Sequence, residues 1–146
     1  MLKLSKKADY GLIAVKHLAT VTPVGACSAK DIAEAYDIPA ELLAKVLQKL
    51  VKGGLLVSWH GTNGGYALAR EASGITAFEV IRAIDGPLFI TSCVTHRGQC
   101  YQSSKCTVRV PLHKVNETIM KALSAVTISS LDETGPGLVQ LEGVTP

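Results

Sequence analysis

The chain has 146 residues, 47% of them hydrophobic and 18% charged, enough for one well-packed core with a small element appended. No apolar run approaches the roughly 18 residues of a membrane span, and no acidic or low-complexity tract interrupts the sequence, which excludes a membrane-spanning or solvated disordered chain as its reading. The formal net charge of +3 is unevenly placed, with nine Lys/Arg against five Asp/Glu in residues 1–70 and six against seven in residues 71–146, so a phosphate-facing surface is expected in the N-terminal half.

Met1 to Asp9 contains no apolar export core and no small-residue cleavage site, so the expected location is the cytoplasm, where thiols stay reduced. Ser5 can cap a first helix running to about Thr20, with Ala8, Leu12, Val15 and Ala19 on one face. Thr22-Pro23-Val24-Gly25 breaks it. Ser28 caps a short helix from Ala29 to Tyr36 with Ile32, Ala33 and Tyr36 inward, and Cys27 before it is expected to be a small buried residue. After a turn at Asp37-Ile38, Pro39 opens a third helix whose apolar stripe is Leu42, Leu43, Val46, Leu47, Leu50 and Val51. Gly53-Gly54 ends it.

Leu55 to Trp59 reads as a strand, His60 to Gly65 as a turn tolerant of positive φ, and Tyr66 to Ala69 as the returning strand. Helix, helix, turn, helix and hairpin in this order make a winged helix-turn-helix, whose third helix enters the major groove while the hairpin follows the backbone or minor groove. A fourth helix from Thr76 to Ile84 stops at Asp85-Gly86-Pro87. Beyond residue 106, Val108, Leu112, Val115, Ile119, Ala122 and Val126 step by alternating fours and threes, a heptad seam that wants a partner helix. Pro111 must then lie in the first turn or kink the helix. The expected fold is mainly α with a small β-hairpin wing. It divides into a winged helix-turn-helix over 1–86, a cysteine-bearing loop over 87–106, a dimerisation helix over 107–131 and a loose tail over 132–146.

Three of the four cysteines, Cys93, Cys100 and Cys106, fall within one polar segment among Thr, His, Arg, Gln, Ser and Lys. Thiols there have little core to fill and suit a soft metal centre or a redox switch. Structural zinc favours a close C-x-x-C pair, which is absent; gaps of six and five residues suit a wider loop around a larger inorganic core. On the third helix, Glu41, Ala44, Lys45 and Gln48 are placed for base edges, with Lys49 and Lys52 nearer phosphate. Ser5, Lys6 and Lys30 are further phosphate candidates, and His60 and Asn63 belong to the wing.

Over about residues 1–130 the chain resembles the bacterial IscR/NsrR regulators, the Rrf-two family. The resemblance is carried by Leu4-Ser-Lys-Lys-Ala-Asp-Tyr10, Ser28-Ala-Lys-Asp-Ile-Ala33, Gly54-Leu-Leu-Val57, the wing Gly61-Thr-Asn-Gly-Gly-Tyr-Ala-Leu-Ala69, and Val80-Ile81 to Ile84-Asp85-Gly86. It implies a homodimeric regulator that binds double-stranded operator DNA and is not an enzyme. It also implies an iron–sulfur cluster, 2Fe–2S or 4Fe–4S, on Cys93, Cys100 and Cys106, with nitric oxide, oxygen or iron–sulfur status as the signal. The nitric-oxide-sensing branch takes its fourth ligand from an aspartate near the N-terminus of the other subunit, and Asp9 stands at that position. Another branch uses a histidine where this chain has Arg109, which cannot ligate. His96 and His113 are lesser candidates, and His17 reads as an ordinary helix residue. Two departures stand out: His60, preceded by Trp59, replaces the arginine usual before the wing glycine, and the first cysteine gap is one residue longer than usual. The rival readings are a cluster-free regulator of the same fold, with the cysteines as a thiol switch or zinc site, and one answering to a small molecule or partner protein. A thiol oxidoreductase is disfavoured by the lack of C-x-x-C, a nucleotide loop or a Ser/His/Asp constellation.

Overall fold

A computed structural model of the chain describes residues 3–21, 25–62, 64–91 and 100–131. Its helices are α1 (Lys6–Val21), α2 (Ala29–Tyr36), α3 (Ala40–Lys52), α4 (Ala77–Asp85) and α5 (Arg109–Ala125), with β1 (Leu56–Trp59) and β2 (Gly65–Leu68) between α3 and α4. The mainly helical winged fold is as expected. Asn63, Cys93, His96 and the tail 132–146 lie outside the described residues.

Local chemistry sets the boundaries of these elements. Ser5 Oγ accepts the Ala8 N–H at 3.0 Å and Ser28 Oγ that of Asp31 at 3.1 Å, each satisfying an orphan donor of a first helical turn. α3 closes in a Schellman motif: the Leu55 N–H reaches Leu50 O and the Gly54 N–H reaches Val51 O, both at 3.0 Å. Gly54 takes φ +77° there, and the flanking Leu50 and Leu55 are both buried. α2 ends on Asp37 at φ 53°, a left-handed conformation that Asp tolerates better than most residues.

One core, built by α1, α2, α3, α4 with the residue leading into it, and the foot of the hairpin, collects Val15, Leu18, Ile32, Leu43, Val46, Leu47, Leu50, Leu56, Ile75 and Val80. The predicted stripe on α1 is rotated slightly: Ala8, Gly11, Ala14, Val15 and Leu18 are buried, while Leu12 and Ala19 pack at the core's edge. The reason is Gly11, whose missing side chain leaves room for Ile84 of α4; a Cβ there would meet Ile84 Cδ1 at 2.1 Å. Tyr36, expected inward, is exposed, and its hydroxyl meets His17 Nδ1 at 2.8 Å with the two rings edge to face.

Thr76 and Glu79 form a complete capping box at the start of α4, and Arg70 pairs with Glu79 while its Nε donates to Gly74 O. Burial opposes ionisation of Glu79, but the Thr76 N–H and Arg70 outweigh it, so its pKa lies below the ordinary 4.5. A lowered carboxylate pKa contributes stability that is present above the unfolded value and lost as pH falls through the folded one. The carboxylate is partly exposed and its charge partly screened, so the capping hydrogen bonds carry most of the effect. Glu79→Ala is expected to cost about 1 kcal/mol at neutral pH. That difference should shrink as pH falls below 4.5 and through the lower folded value, where the wild-type carboxylate protonates, as urea unfolding across that range will measure.

α5 starts with Pro111 in its first turn, as its missing N–H requires. The one buried residue on α5 is polar: Asn116 Oδ1 accepts the Ile90 N–H at 3.1 Å, tying the stretch before the cysteine segment to the helix. Along the predicted seam Val108 and Val115 are 53% and 46% exposed, and Leu112, Ile119 and Ala122 are only partly covered by the described residues. The helix stops at Ala125, and the following residues return to the winged unit. Val126 O accepts from Ala77 N and Ile75 O from Ile128 N, both at 2.8 Å, with the Ile128 side chain buried. α5 is therefore fastened at its C-terminal end to the core and at its middle to the stretch that leads into the cysteine segment.

Candidate nucleic-acid interface and cysteine segment

The hairpin projects beyond the core. β1 and β2 pair antiparallel in the register Leu56↔Leu68, Val57↔Ala67, Ser58↔Tyr66 and Trp59↔Gly65, with Leu56 buried and the other three β1 residues exposed. Its position is set by a second, shorter pairing, in which Cys27 N–H donates to Tyr66 O at 3.0 Å and Tyr66 N–H to Cys27 O at 2.8 Å. Gly65 allows this approach: a Cβ on it would lie 2.4 Å from Cys27 O and 2.8 Å from Ser28 N. Cys27 is partly buried against the core and serves this junction.

The pairing draws three elements together. Ser28 and Ala29 at the start of α2, Gln48, Val51 and Lys52 on α3, and Ser58, Trp59, His60 and Gly61 on the wing line one open cleft of about 620 Å³. Glu41, Lys45, Gln48 and Lys52 are exposed on α3, and Ala44 is partly so. A helix face with spare donors beside a projecting hairpin is what duplex DNA requires of a protein of this shape: side chains that reach base edges and a wing that reaches the backbone.

The remaining DNA candidates divide. Lys30 stands in the open at the start of α2 with only a loose pair to Glu34 at 3.9 Å. Lys6 lies 3.9 Å from Asp9 and over the Tyr10 ring. Lys49 turns its ammonium to Ile84 O at 3.1 Å, where it neutralises the C-terminal end of α4. Ser5 donates to the Asp85 carboxylate, at 2.6 Å to Oδ1, so its proton is spent inside the protein. These last two contacts span 35 and 80 residues of sequence, and no local pattern foretells them. The feature sequence reasoning passed over as a DNA candidate is Trp59, 63% exposed in the cleft; its signal was a large aromatic beside Ser and His on a strand whose opposite position is glycine.

Cys100 and Cys106 are free and partly buried, one on each side of a tight turn in which Ser103 N–H reaches Cys100 O at 3.1 Å. Two residues after Cys106 the chain enters α5 at Val108. Asp9 is on α1, half exposed. His113 lies on α5 against Glu117, and His17 against Tyr36. Among the described residues no three His, Cys, Asp or Glu side chains converge on one ion position. The donor chemistry of the two described cysteines nonetheless fits an iron–sulfur centre: free, partly accessible soft sulfur donors on a polar turn. No described helix is long and apolar enough to cross a membrane.

Fold and cleft together define a winged-helix DNA-binding protein. Residues 4–134 match the family model of Rrf2, described as an iron-dependent transcriptional regulator. The chain is 30% identical to the transcriptional regulator IscR of Klebsiella pneumoniae, over 89% of this chain and 79% of that one. It is 28% identical to the transcriptional regulator NsrR of Geobacillus kaustophilus, over 96% of each. Among solved structures, CymR, the global cysteine regulator of B. subtilis, superposes with a TM-score of 0.72 at 29% identity, covering 90% of this chain and 96% of that one. The chain belongs to the Rrf2 family of transcriptional regulators.

Proposed function

We propose that this chain is a homodimeric, sequence-specific DNA-binding regulator whose grip on its operator is set by an iron–sulfur cluster. Cys93, Cys100 and Cys106 would hold the cluster, with Asp9 contributed by the second copy. The observation that carries this reading is the pair of free thiols, Cys100 and Cys106, on the turn that leads straight into α5. When bound, the cluster supplies a centre that responds to oxidation, nitric oxide or iron shortage.

The chain's own residues then relay the state of that loop. Asn116 fastens Ile90, three residues before Cys93, to α5. The bridge from Val126 and Ile128 to Ala77 and Ile75 fastens the far end of α5 to the DNA-binding unit. A loop held by its ligands, or released from them, therefore shifts α5 and the winged unit together against the second copy. The seam of exposed Val108 and Val115 and half-covered Leu112 and Ile119 is the surface on which the copies would meet. The spacing of the two α3 helices changes, and with it the fit to half-sites about one helical turn apart. On the DNA face Lys45 and Gln48 read bases, helped by Glu41 and Ala44, while Lys30, Lys6, His60 and Asn63 approach phosphate and minor groove. Ser5 and Lys49 belong to the same surface but act mainly by holding α1 and α3 to α4.

Cys100→Ala is expected to keep the fold and the dimer but to lose iron and the response to nitric oxide or air, read by iron content and operator binding of the two proteins. If the variant still bound iron and responded, the scheme would be wrong. A second reading, a cluster-free thiol switch, is favoured by the likeness to the global cysteine regulator. It predicts equal DNA binding by iron-free and iron-loaded protein, and a change on thiol oxidation alone.

A further inference from the structure

Trp59 is the chain's single tryptophan, and it stands 63% exposed near the tip of the wing. A lone exposed apolar side chain needs no explanation by itself. The surroundings of this one do. Its cross-strand partner is Gly65, which offers no side chain to cover the indole. The turn beyond folds back on the strand's backbone, since a Cβ on Gly64 would lie 2.5 Å from the Trp59 carbonyl oxygen, and glycine there adds no side chain beside the ring. The indole also shares its cleft with Gln48 and Lys52 of α3 and with Ser58 and His60. It is thus continuous with the face that carries the base-reading and cationic side chains, and a wing so placed runs along the backbone and minor groove.

We propose that Trp59 packs against the sugar-lined wall of the DNA minor groove and is a wing residue that sets affinity by groove shape. This rests on the DNA-binding reading above. The deoxyribose edges offer apolar surface to the ring. The indole N–H is a donor only; every base pair presents acceptors on the groove floor and G·C adds one amino donor, so the contact reads groove width and, beyond it, no more than A·T against G·C. An uncharged ring displaces no counterions. Its contribution therefore stays constant with salt, unlike that of a lysine or arginine in the same place.

The test uses the full chain and a mixed-sequence duplex of about 30 base pairs at low salt, where sequence-independent binding is measurable. On titration, the emission of Trp59 should change and its quenching by acrylamide should fall. Trp59→Ala should bind the labelled duplex about tenfold more weakly, with Trp59→Phe in between. The slope of log affinity against log salt should match wild type. Thermal melting will establish that both variants fold. If wild type binds while Trp59 stays open to acrylamide and Trp59→Ala binds equally well, the inference falls and the DNA-binding reading stands. A salt slope reduced in Trp59→Ala, or an emission that shifts with protein concentration alone, would also overturn it, the second by placing the ring between copies. Failure of wild type to bind any duplex overturns both.

Discussion

Gly65→Ala is expected to lower the melting temperature by roughly 10 °C and to weaken DNA binding even where the protein remains folded. The new Cβ would lie 2.4 Å from Cys27 O and 2.5 Å from Cys27 C, and backbone atoms cannot swing aside as a side-chain terminus can. Relief requires separating the wing from the α2 cap, which breaks both hydrogen bonds between Cys27 and Tyr66. Two net hydrogen bonds at about 1 kcal/mol each, with residual strain of similar size, come to about 3 kcal/mol. That is a large share of the roughly 5–15 kcal/mol that holds a domain together. Gly74→Ala is the control, because nothing lies nearer than 3.9 Å to its added methyl. It should be within about 0.5 kcal/mol of wild type. Thermal melts of the three proteins decide the matter, and equal melting temperatures would mean that the wing is not held at this junction.

Loss of both Lys45 and Gln48 should reduce operator affinity about a hundredfold or more, the largest functional effect expected of any substitution on α3. The two parts are separable. Gln48→Ala should relax discrimination at one base pair by about 1–3 kcal/mol and leave the salt slope alone, whereas Lys45→Ala should relax it at another and, by removing a cation from the DNA face, also shallow that slope. Lys49→Ala provides the contrast. Its ammonium is committed to Ile84 O, so the expected loss is about 1 kcal/mol of stability with little change in DNA contact. Binding titrations across salt, with urea unfolding of each variant, separate a base reader from a residue that holds the helices together.

Much of this architecture was legible because its signals are local. Ser28 three residues before Asp31, Gly53-Gly54 after a two-faced helix, and a glycine-rich turn between short apolar strands each specify a conformation through nearby atoms. Tyr36 was misread because a spacing that faces the core at Ile32 and Ala33 has run out by the last turn of a short helix, where the ring meets His17 instead. The heptad seam was legible too, but it carried the expected helix past Ala125. The return of Val126 and Ile128 to Ala77 and Ile75 is a pairing across some fifty residues of sequence, which periodicity cannot register. The same limit hid the engagement of Ser5 with Asp85 and of Lys49 with Ile84. At the site, the cysteine cluster was conspicuous by composition, and the outward face of α3 followed from its apolar stripe. Trp59 was less conspicuous as a candidate for DNA contact, because a tryptophan in a strand suggests core until its glycine partner and its exposure are seen.

The central claim, an iron–sulfur centre controlling DNA affinity, is tested most directly by anaerobic purification with iron and sulfide assays, a visible absorption spectrum, and operator binding before and after nitric oxide. The account predicts iron and sulfide in matching amounts, thiolate-to-iron absorption that nitric oxide or air alters, and a change in operator affinity that tracks the spectrum. A protein that stays colourless after anaerobic reconstitution, yet binds DNA with unchanged affinity, would contradict it and leave the cysteines to a thiol switch.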